Sequence, residues 1–422
     1  MIASNILRKS IPQNDSHWSY WSHGSYSRNG TNRTNRPYRR SSRIGRWPLF
    51  AASLVGLICV SATIANAATK IGAVTCLSGP LSTFGVSSIQ GAKLAAEEIN
   101  SSGGILGQPL ELIVEDNQSK AGEAATAARK FISQDKVVAI LGDLTSSSTM
   151  EIAPLAQAAK VPLLTPSATN VAITKVGDYV FRSCFIDPFT GQVMARFAVD
   201  HLKAKRAIIL TDVKQDYSVG LTDAIRKYFT QKGGQILKEI SYSSGDVDFR
   251  AQLTTAKSLR PDVIFLPAYY TEAGLILLQA RQLGITNPFV GGEGWDSPAL
   301  LQVAGKSADG NFYANHFSAA DPDPLVQKFV QNYQAKYHSQ PDALAALWYD
   351  GARILAEAIQ HAGATEGAKV RDALAAIKDF PGVTGKISID ENRNAAKPAV
   401  ILTIEHGALK LVDHVASEAA VP

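Results

Sequence analysis

The sequence predicts an α/β protein of two lobes, each a parallel sheet covered by helices on both faces. Three observations carry that prediction. From Lys70 onward, short apolar runs alternate with amphipathic helical patterns at the spacing of successive βα units. The alternation breaks near Tyr179 and resumes at Ala207, so there are two such runs. Three Pro-bearing segments, ending at Pro188, spanning Asp321-Pro-Asp-Pro324 and opening at Phe380-Pro381, fall where the chain changes run and read as crossings between lobes.

In chain order, residues 71–75 are the first strand. The helix over 89–99 puts Ile89, Ala92, Ala95, Ala96 and Ile99 on one face and is closed by Gly103-Gly104. A strand over 110–114, a helix over 121–132 and a strand over 137–141 follow. Next come a helix over 150–160 and a strand over 161–164. Residues 179–188 read as one strand leading through the first crossing. The second run has strands at 207–210, 236–240, 263–266 and 289–290, with helices over 221–232, 249–259 and 273–283 between them. A strand near 309–314 precedes the return, which three helical patterns follow, over 325–337, 343–360 and 368–377. Strands over 386–389, 400–404 and 409–412 end the chain. This order assigns 68–187 and 317–381 to the first lobe and 188–316 and 382–422 to the second.

Composition suits a globular chain of this length: 422 residues, 45% hydrophobic and 19% charged. The basic balance belongs to one segment. Residues 1–67 hold nine Lys and Arg against the single acid Asp15, and the remaining chain has 33 basic and 36 acidic residues, a net of −3. The overall charge is therefore no argument for a nucleic-acid partner. Arg39, Arg40, Arg43 and Arg46 precede an uncharged apolar stretch that ends in Ala65-Asn66-Ala67. That is the layout of a secretory signal peptide, with cleavage expected after Ala67 and a periplasmic product. Beyond it stand two cysteines, Cys76 and Cys184, which export permits to pair but which read more readily as small buried apolar residues.

Two loops carry the functional signal. Leu-Gly-Asp-Leu-Thr-Ser-Ser-Ser-Thr, 141–149, and Leu-Leu-Thr-Pro-Ser-Ala-Thr, 163–169, each let an apolar strand open into small hydroxyl residues, and a helical pattern follows the first. Hydroxyls and unpaired N–H groups at a helix start suit a carboxylate or other anion; the same hydroxyls also serve as plain helix caps. No Gly-x-Ser-x-Gly surrounds Ser146, Ser147 or Ser148, so they read as holders of a ligand and not as nucleophiles. No Gly-x-Gly-x-x-Gly follows a strand, position 300 is Leu where a phosphate loop ending at Gly305-Lys306-Ser307 needs its first Gly, and there is no His-Glu-x-x-His. A metal or nucleotide enzyme is not expected.

The run from Lys70 to Pro80, then Gly91, Ala95 and Asn100 to Gly107, both hydroxyl loops, Gln215-Asp-Tyr217, Tyr269-Tyr270 and Gly292-Glu-Gly294 together resemble the periplasmic branched-chain amino-acid binding proteins, solute receptors of ABC importers. The resemblance spans about Lys70 to Val412. It implies the type I periplasmic-binding-protein fold, two Rossmann-like lobes joined by three crossover segments, with ligand in the cleft between. It also implies a small amino acid as ligand, an ABC transporter membrane permease as partner, a monomer, and no enzymatic role or cofactor.

By the same resemblance, Ser146 and the N–H of Thr169 would hold the ligand carboxylate. The carbonyl of Ser167, the hydroxyl of Thr169 and the carboxylate of Glu293 would hold its ammonium. Tyr217 and Tyr269 would close over it, and Phe84 would wall the side-chain pocket. Trp295 is a pocket candidate from position alone, with cleft edge and buried packing left open. The family often has Trp where Phe84 stands, and some members have a disulfide where this chain has Gln118 and Thr145. Relatives with the same loops take amides, urea or aromatic acids, so an aliphatic amino acid is the leading ligand among several. A same-fold sensor is the other function class.

Overall fold

The computed structural model of the protein describes residues 68–417. The expected signal peptide and its cleavage point lie outside the described residues. The first run comprises β1 (Thr69–Thr75), α1 (Ser82–Ser101), β2 (Leu110–Asp116), α2 (Glu123–Lys130), β3 (Ala139–Gly142), α3 (Ser146–Ala159), β4 (Leu163–Thr165) and β5 (Val180–Arg182). All five strands are parallel, in the order β2-β1-β3-β4-β5. The central strands β3 and β4 are buried along their whole length, which is why they read as unbroken apolar runs with no alternation.

The second run comprises α4 (Asp187–Asp200), β6 (Arg206–Asp212), α5 (Asp216–Gln231), β7 (Gln235–Tyr242), α6 (Arg250–Ser258), β8 (Val263–Leu266), α7 (Tyr270–Gln282), β9 (Phe289–Gly291), α8 (Pro298–Ala304) and β10 (Phe312–Asn315). The chain then returns to the first lobe for α9 (Pro324–Tyr337), α10 (Ala343–Ala362) and α11 (Gly367–Ala375). The short strands β11 (Phe380–Gly382), β12 (Gly385–Ile389) and β13 (Ala395–Ala396) follow, and the hairpin of β14 (Ala399–Glu405) and β15 (Ala408–Val415) ends it. The second sheet runs β15-β14-β10-β9-β8-β6-β7, parallel from β10 to β7 and antiparallel at the hairpin edge. His406 and Gly407 make the two-residue turn of that hairpin with φ of 53° and 75°, the positive pair that matches strand twist.

In the first lobe α10 packs along α1. A Cβ on Gly91 would stand 1.9 Å from the carbonyl oxygen of Ala345, so the two backbones meet where a side chain has no room.

Three elements differ from the sequence reading. The expected strand over 179–188 is only Val180–Arg182, because Asp187 opens α4 and Pro188 sits in its first turn, where a missing N–H costs nothing. The hydroxyl run at 146–148 is itself the first turn of α3: Thr145 adopts an extended conformation and its hydroxyl accepts from the N–H of Ser148 at 3.3 Å. The third crossing lies later than residue 382. Residues 383–394 are tied to the first lobe, with both N–H groups of Val383 and Thr384 donating to Asp350 of α10 at 2.9 Å, the N–H of Arg182 donating to the carbonyl of Arg393 at 3.1 Å, and Thr174 bonded to Asn394 at 3.1 Å. The chain changes lobe only around Lys397-Pro398, where a short antiparallel sheet has no apolar run to announce which body it covers.

Candidate ligand-binding cleft

The C-terminal ends of β3 and β4 present the two hydroxyl loops side by side. Ser146 opens α3, is 1% exposed, and its Oγ accepts from the N–H of Asn170 at 3.3 Å. Thr145 takes the N–H of Ser148, so the first-turn amides of Ser146 and Ser147 are the outward donors, backed by the positive end of the helix dipole. Ser167 has its hydroxyl engaged inside the lobe, donating to the carbonyl of Leu144 at 3.1 Å and accepting from Nε1 of Trp348 at 3.3 Å, which leaves its backbone carbonyl as the group it can offer. Thr169 is 1% exposed, and its hydroxyl has no hydrogen-bond partner among the described residues.

The second lobe supplies aromatic rings and an acid. Tyr217, in the first turn of α5, stacks on Tyr269, which precedes α7, with centroids 5.1 Å apart and planes 16° off parallel. Phe84 of α1 meets Tyr269 at 6.1 Å and Tyr270 at 4.6 Å, edge to face in both cases. Glu293 follows β9 in a single 3₁₀ turn, Glu293–Trp295, and is buried although no described residue bonds its carboxylate oxygens. Neither glycine beside it has room for a side chain: a Cβ on Gly292 would stand 2.5 Å from the Tyr217 hydroxyl, and one on Gly294 2.6 Å from the carbonyl oxygen of Ala268.

Trp295 is buried and borders a cavity with Asp296, Tyr313 and Asp342. Its Nε1 donates to the carbonyl of Leu266 at 3.1 Å, its ring lies on Gly291, and Tyr313 is its aromatic neighbour at 6.0 Å, all within the second lobe. Next to it, Asp296 accepts from the Tyr313 hydroxyl at 3.0 Å and reaches across to the first lobe, where the N–H of Ala343 at the start of α10 donates to it at 2.7 Å.

The electrostatics of the cleft are set by burial of its acids. Burial pushes the Glu293 carboxyl up to about 8, with the charge of Asp187 adding to the effect. Asp187, at the start of α4, is itself 1% exposed and pushed by burial up to about 7. Arg182, fully buried at the end of β5, is the cation facing Asp187; its guanidinium donates to the carbonyls of Ala168 at 3.0 Å and Asn170 at 2.6 Å and so braces the loop on both sides of Thr169. Asp187 and Arg182 were not anticipated from sequence; the signal was there in Arg182 and in the Asp187-Pro188 pair at a crossing, but nothing in spacing says that they meet. Cys76 and Cys184 are free and buried, each thiol pushed by burial up to about 12, which makes them inert packing groups. No group of His, Cys, Asp and Glu among the described residues is placed to hold a metal ion.

The arrangement is donor-rich on the α3 side and acceptor-rich on the Glu293 side, as a small zwitterion requires. A family model described as periplasmic binding protein matches residues 68–408. The chain belongs to that family. This periplasmic binding protein is 40% identical to a leucine binding protein from Thermotoga maritima, with 82% of this chain and 99% of that one covered and a TM-score of 0.80. It is 36% identical to the branched-chain amino acid transporter substrate binding protein of Streptococcus pneumoniae, solved in complex with isoleucine, over 82% of this chain and 99% of that one, with a TM-score of 0.77. It is also 29% identical to a leucine-, isoleucine-, valine-, threonine- and alanine-binding protein of Pseudomonas aeruginosa, covering 81% of this chain and 91% of the relative. The fold is the type I arrangement of that family, two α/β lobes joined by three crossings.

In this periplasmic binding protein the lobes meet over the site. The N–H of Asp216 donates to the Ser147 hydroxyl at 3.1 Å, Asn170 Nδ2 donates to the Asp216 carbonyl at 2.8 Å, and the Tyr270 hydroxyl donates to the Pro80 carbonyl at 2.7 Å. These residues join the first-lobe loops to α5 and α7, so the structure is that of the closed cleft.

Proposed function

We propose that the protein is the extracytoplasmic solute receptor of an ABC importer and binds a small α-amino acid, branched-chain or related, in the cleft between its lobes. The observation that carries this reading is the pairing of two half-sites across the cleft: neutral donors at the start of α3 opposite the buried, unpartnered carboxylate of Glu293. The ligand carboxylate lies against Ser146 and the N–H of Thr169. Its ammonium lies between the Ser167 carbonyl, the Thr169 hydroxyl and Glu293, and its side chain lies against Phe84 with Tyr217 and Tyr269 above. The names of the relatives support a leucine-like side chain.

The receptor acts in the periplasm as a monomer, closes on its ligand and delivers it to a membrane permease. The mature chain begins at Ala68, which N-terminal sequencing of the exported protein checks. The binding test is calorimetry of the mature chain against L-leucine, L-isoleucine, L-valine and L-alanine beside their deaminated 2-oxo analogues. Binding of the amino acids and not of the oxo acids is the expected result; preference for an amide, urea or an aromatic acid overturns the amino-acid reading.

A further inference from the structure

The loop that the proposed function sets against the ligand carboxylate has each of its carbonyls from Ala168 to Asn170 tied down from behind. The fully buried guanidinium of Arg182 straddles it, Nη1 donating to the carbonyl of Ala168 at 3.0 Å and Nη2 to that of Asn170 at 2.6 Å. The carbonyl between them, that of Thr169, accepts from the N–H of Asp187 at 3.1 Å. The approach to the loop is fixed as well: the Thr165 hydroxyl accepts from the N–H of Ala168 at 3.1 Å and donates to the carbonyl of Asp143 at 2.9 Å. Arg182 stands opposite Thr165 in the parallel register of β4 and β5, so strand pairing itself brings the guanidinium to the loop.

In a trans peptide the carbonyl and the next residue's N–H lie in one plane and point opposite ways. Holding the Ala168 carbonyl toward Arg182 therefore turns the N–H of Thr169 away from it, and no described residue accepts from that N–H. Holding the Thr169 carbonyl does the same for the N–H of Asn170, which donates to Oγ of Ser146 at 3.3 Å. With a lone pair engaged there, the Ser146 hydroxyl keeps its own proton to donate. Two donors suited to an anion, the N–H of Thr169 and the O–H of Ser146, thus take their direction from one loop whose outer carbonyls both rest on Arg182. Arg182, Ala168, Asn170 and Ser146 all belong to the first lobe, so the bonds among them do not require the second.

Resting on the amino-acid reading above, we propose that Arg182 is a positioning residue of the carboxylate half-site. Without touching the ligand, it holds the carbonyls on both sides of Thr169 and so keeps the Thr169 N–H and the Ser146 hydroxyl aimed at the ligand carboxylate before the ligand arrives. Donors already aimed at the place a charge will take lose little freedom when it comes, and that is their advantage over mobile ones. The fork decides the residue type. A guanidinium presents coplanar donors at a fixed separation, whereas an ammonium on a flexible stem is a single charged point that serves one carbonyl well. One mis-aimed hydrogen bond to a charged group weakens binding by about ten- to a hundredfold.

The test is calorimetry of the mature protein, Arg182→Lys and Arg182→Met with L-leucine and with L-leucinol, which keeps the ammonium and the side chain but lacks the carboxylate. Arg182→Met should bind leucine about ten- to a hundredfold more weakly, Arg182→Lys should fall between it and the parent, and leucinol affinity should change less than about threefold. A residue that merely supports the fold weakens both ligands alike, so equal losses, or no loss for leucine, overturn the proposal. A second measurement needs neither a stable variant nor a ligand: ¹⁵N NMR of the Arg182 guanidinium in the unliganded parent. Slow rotation about Cζ–Nη and slow exchange of the Nη protons with water are expected of a guanidinium bonded on both sides, and the rates of an exposed arginine overturn the proposal. Should the parent bind benzoate and no amino acid, the amino-acid reading fails, and benzoate against benzamide makes the same comparison for Arg182. A parent that binds neither overturns both.

Discussion

Glu293 combines a cost in the free protein with its proposed use in the complex. Its carboxyl is pushed up to about 8, so between the unfolded value near 4.3 and about 8 the native state holds a proton that the unfolded chain does not. The sign follows: this group favours the fold at low pH, and that contribution is lost as pH rises through the window. Glu293→Gln should therefore melt higher than the parent at pH 8 without ligand, by roughly 2–4 °C for each kcal/mol recovered, and no higher at pH 4; differential scanning calorimetry at the two pH values checks it. The same substitution removes the proposed partner of the ammonium, a loss of ~2–5 kcal/mol in a desolvated site, so amino-acid affinity should drop at least about tenfold while 2-oxo acids are little affected. Ser146, Thr169, Tyr217, Tyr269, Phe84 and Glu293 could be named as candidates because each stands at a strand end or in a quoted motif. Asp187 and Arg182 were not, since their meeting depends on how the first crossing folds back behind the 168–170 loop, and the packing of Trp295 depends on Leu266 and Gly291, which no local pattern links to it.

At the scale of elements, the proposed carboxylate grip lies at the start of α3, and Thr145 sets where that helix starts. Thr145→Ala removes the acceptor for the Ser148 N–H and should cost about 0.5–2 kcal/mol of stability. Because the frayed turn contains Ser146 and Ser147, leucine affinity should fall several-fold as well, whereas an equal destabilisation placed in α11 should leave affinity alone; urea unfolding and calorimetry on the same variants separate the two effects. Strands and helices of both runs could be read from periodicity because parallel sheets demand buried, unalternating strands. The third crossing could not. β11, β12 and β13 are short, and what binds residues 383–394 to the first lobe is a set of polar contacts to Asp350, Arg182 and Thr174, which leave no hydrophobic signature.

For the whole molecule the question is what closing requires. The bonds from Asp216 to Ser147 and Asn170, and from Tyr270 to Pro80, join the lobes directly over the site and have to break for a ligand to enter. Small-angle scattering should show a smaller radius of gyration with saturating leucine than without, and Ser147→Ala should weaken the compaction by removing one bridging hydroxyl. A liganded protein with unchanged dimensions would contradict closure.

Under the transport reading, the buried carboxylate of Glu293 has a further consequence for traffic at the membrane. A receptor that closes while empty offers an importer a false signal, and each false docking risks a cycle of hydrolysis with nothing carried. On the amino-acid reading, closing over an ionised Glu293 with no cation opposite it costs desolvation, so a bound ammonium favours the closed cleft. On that reading a proton on Glu293 stands in for the ammonium, which ties the closed shape of an empty receptor to the acidity around it.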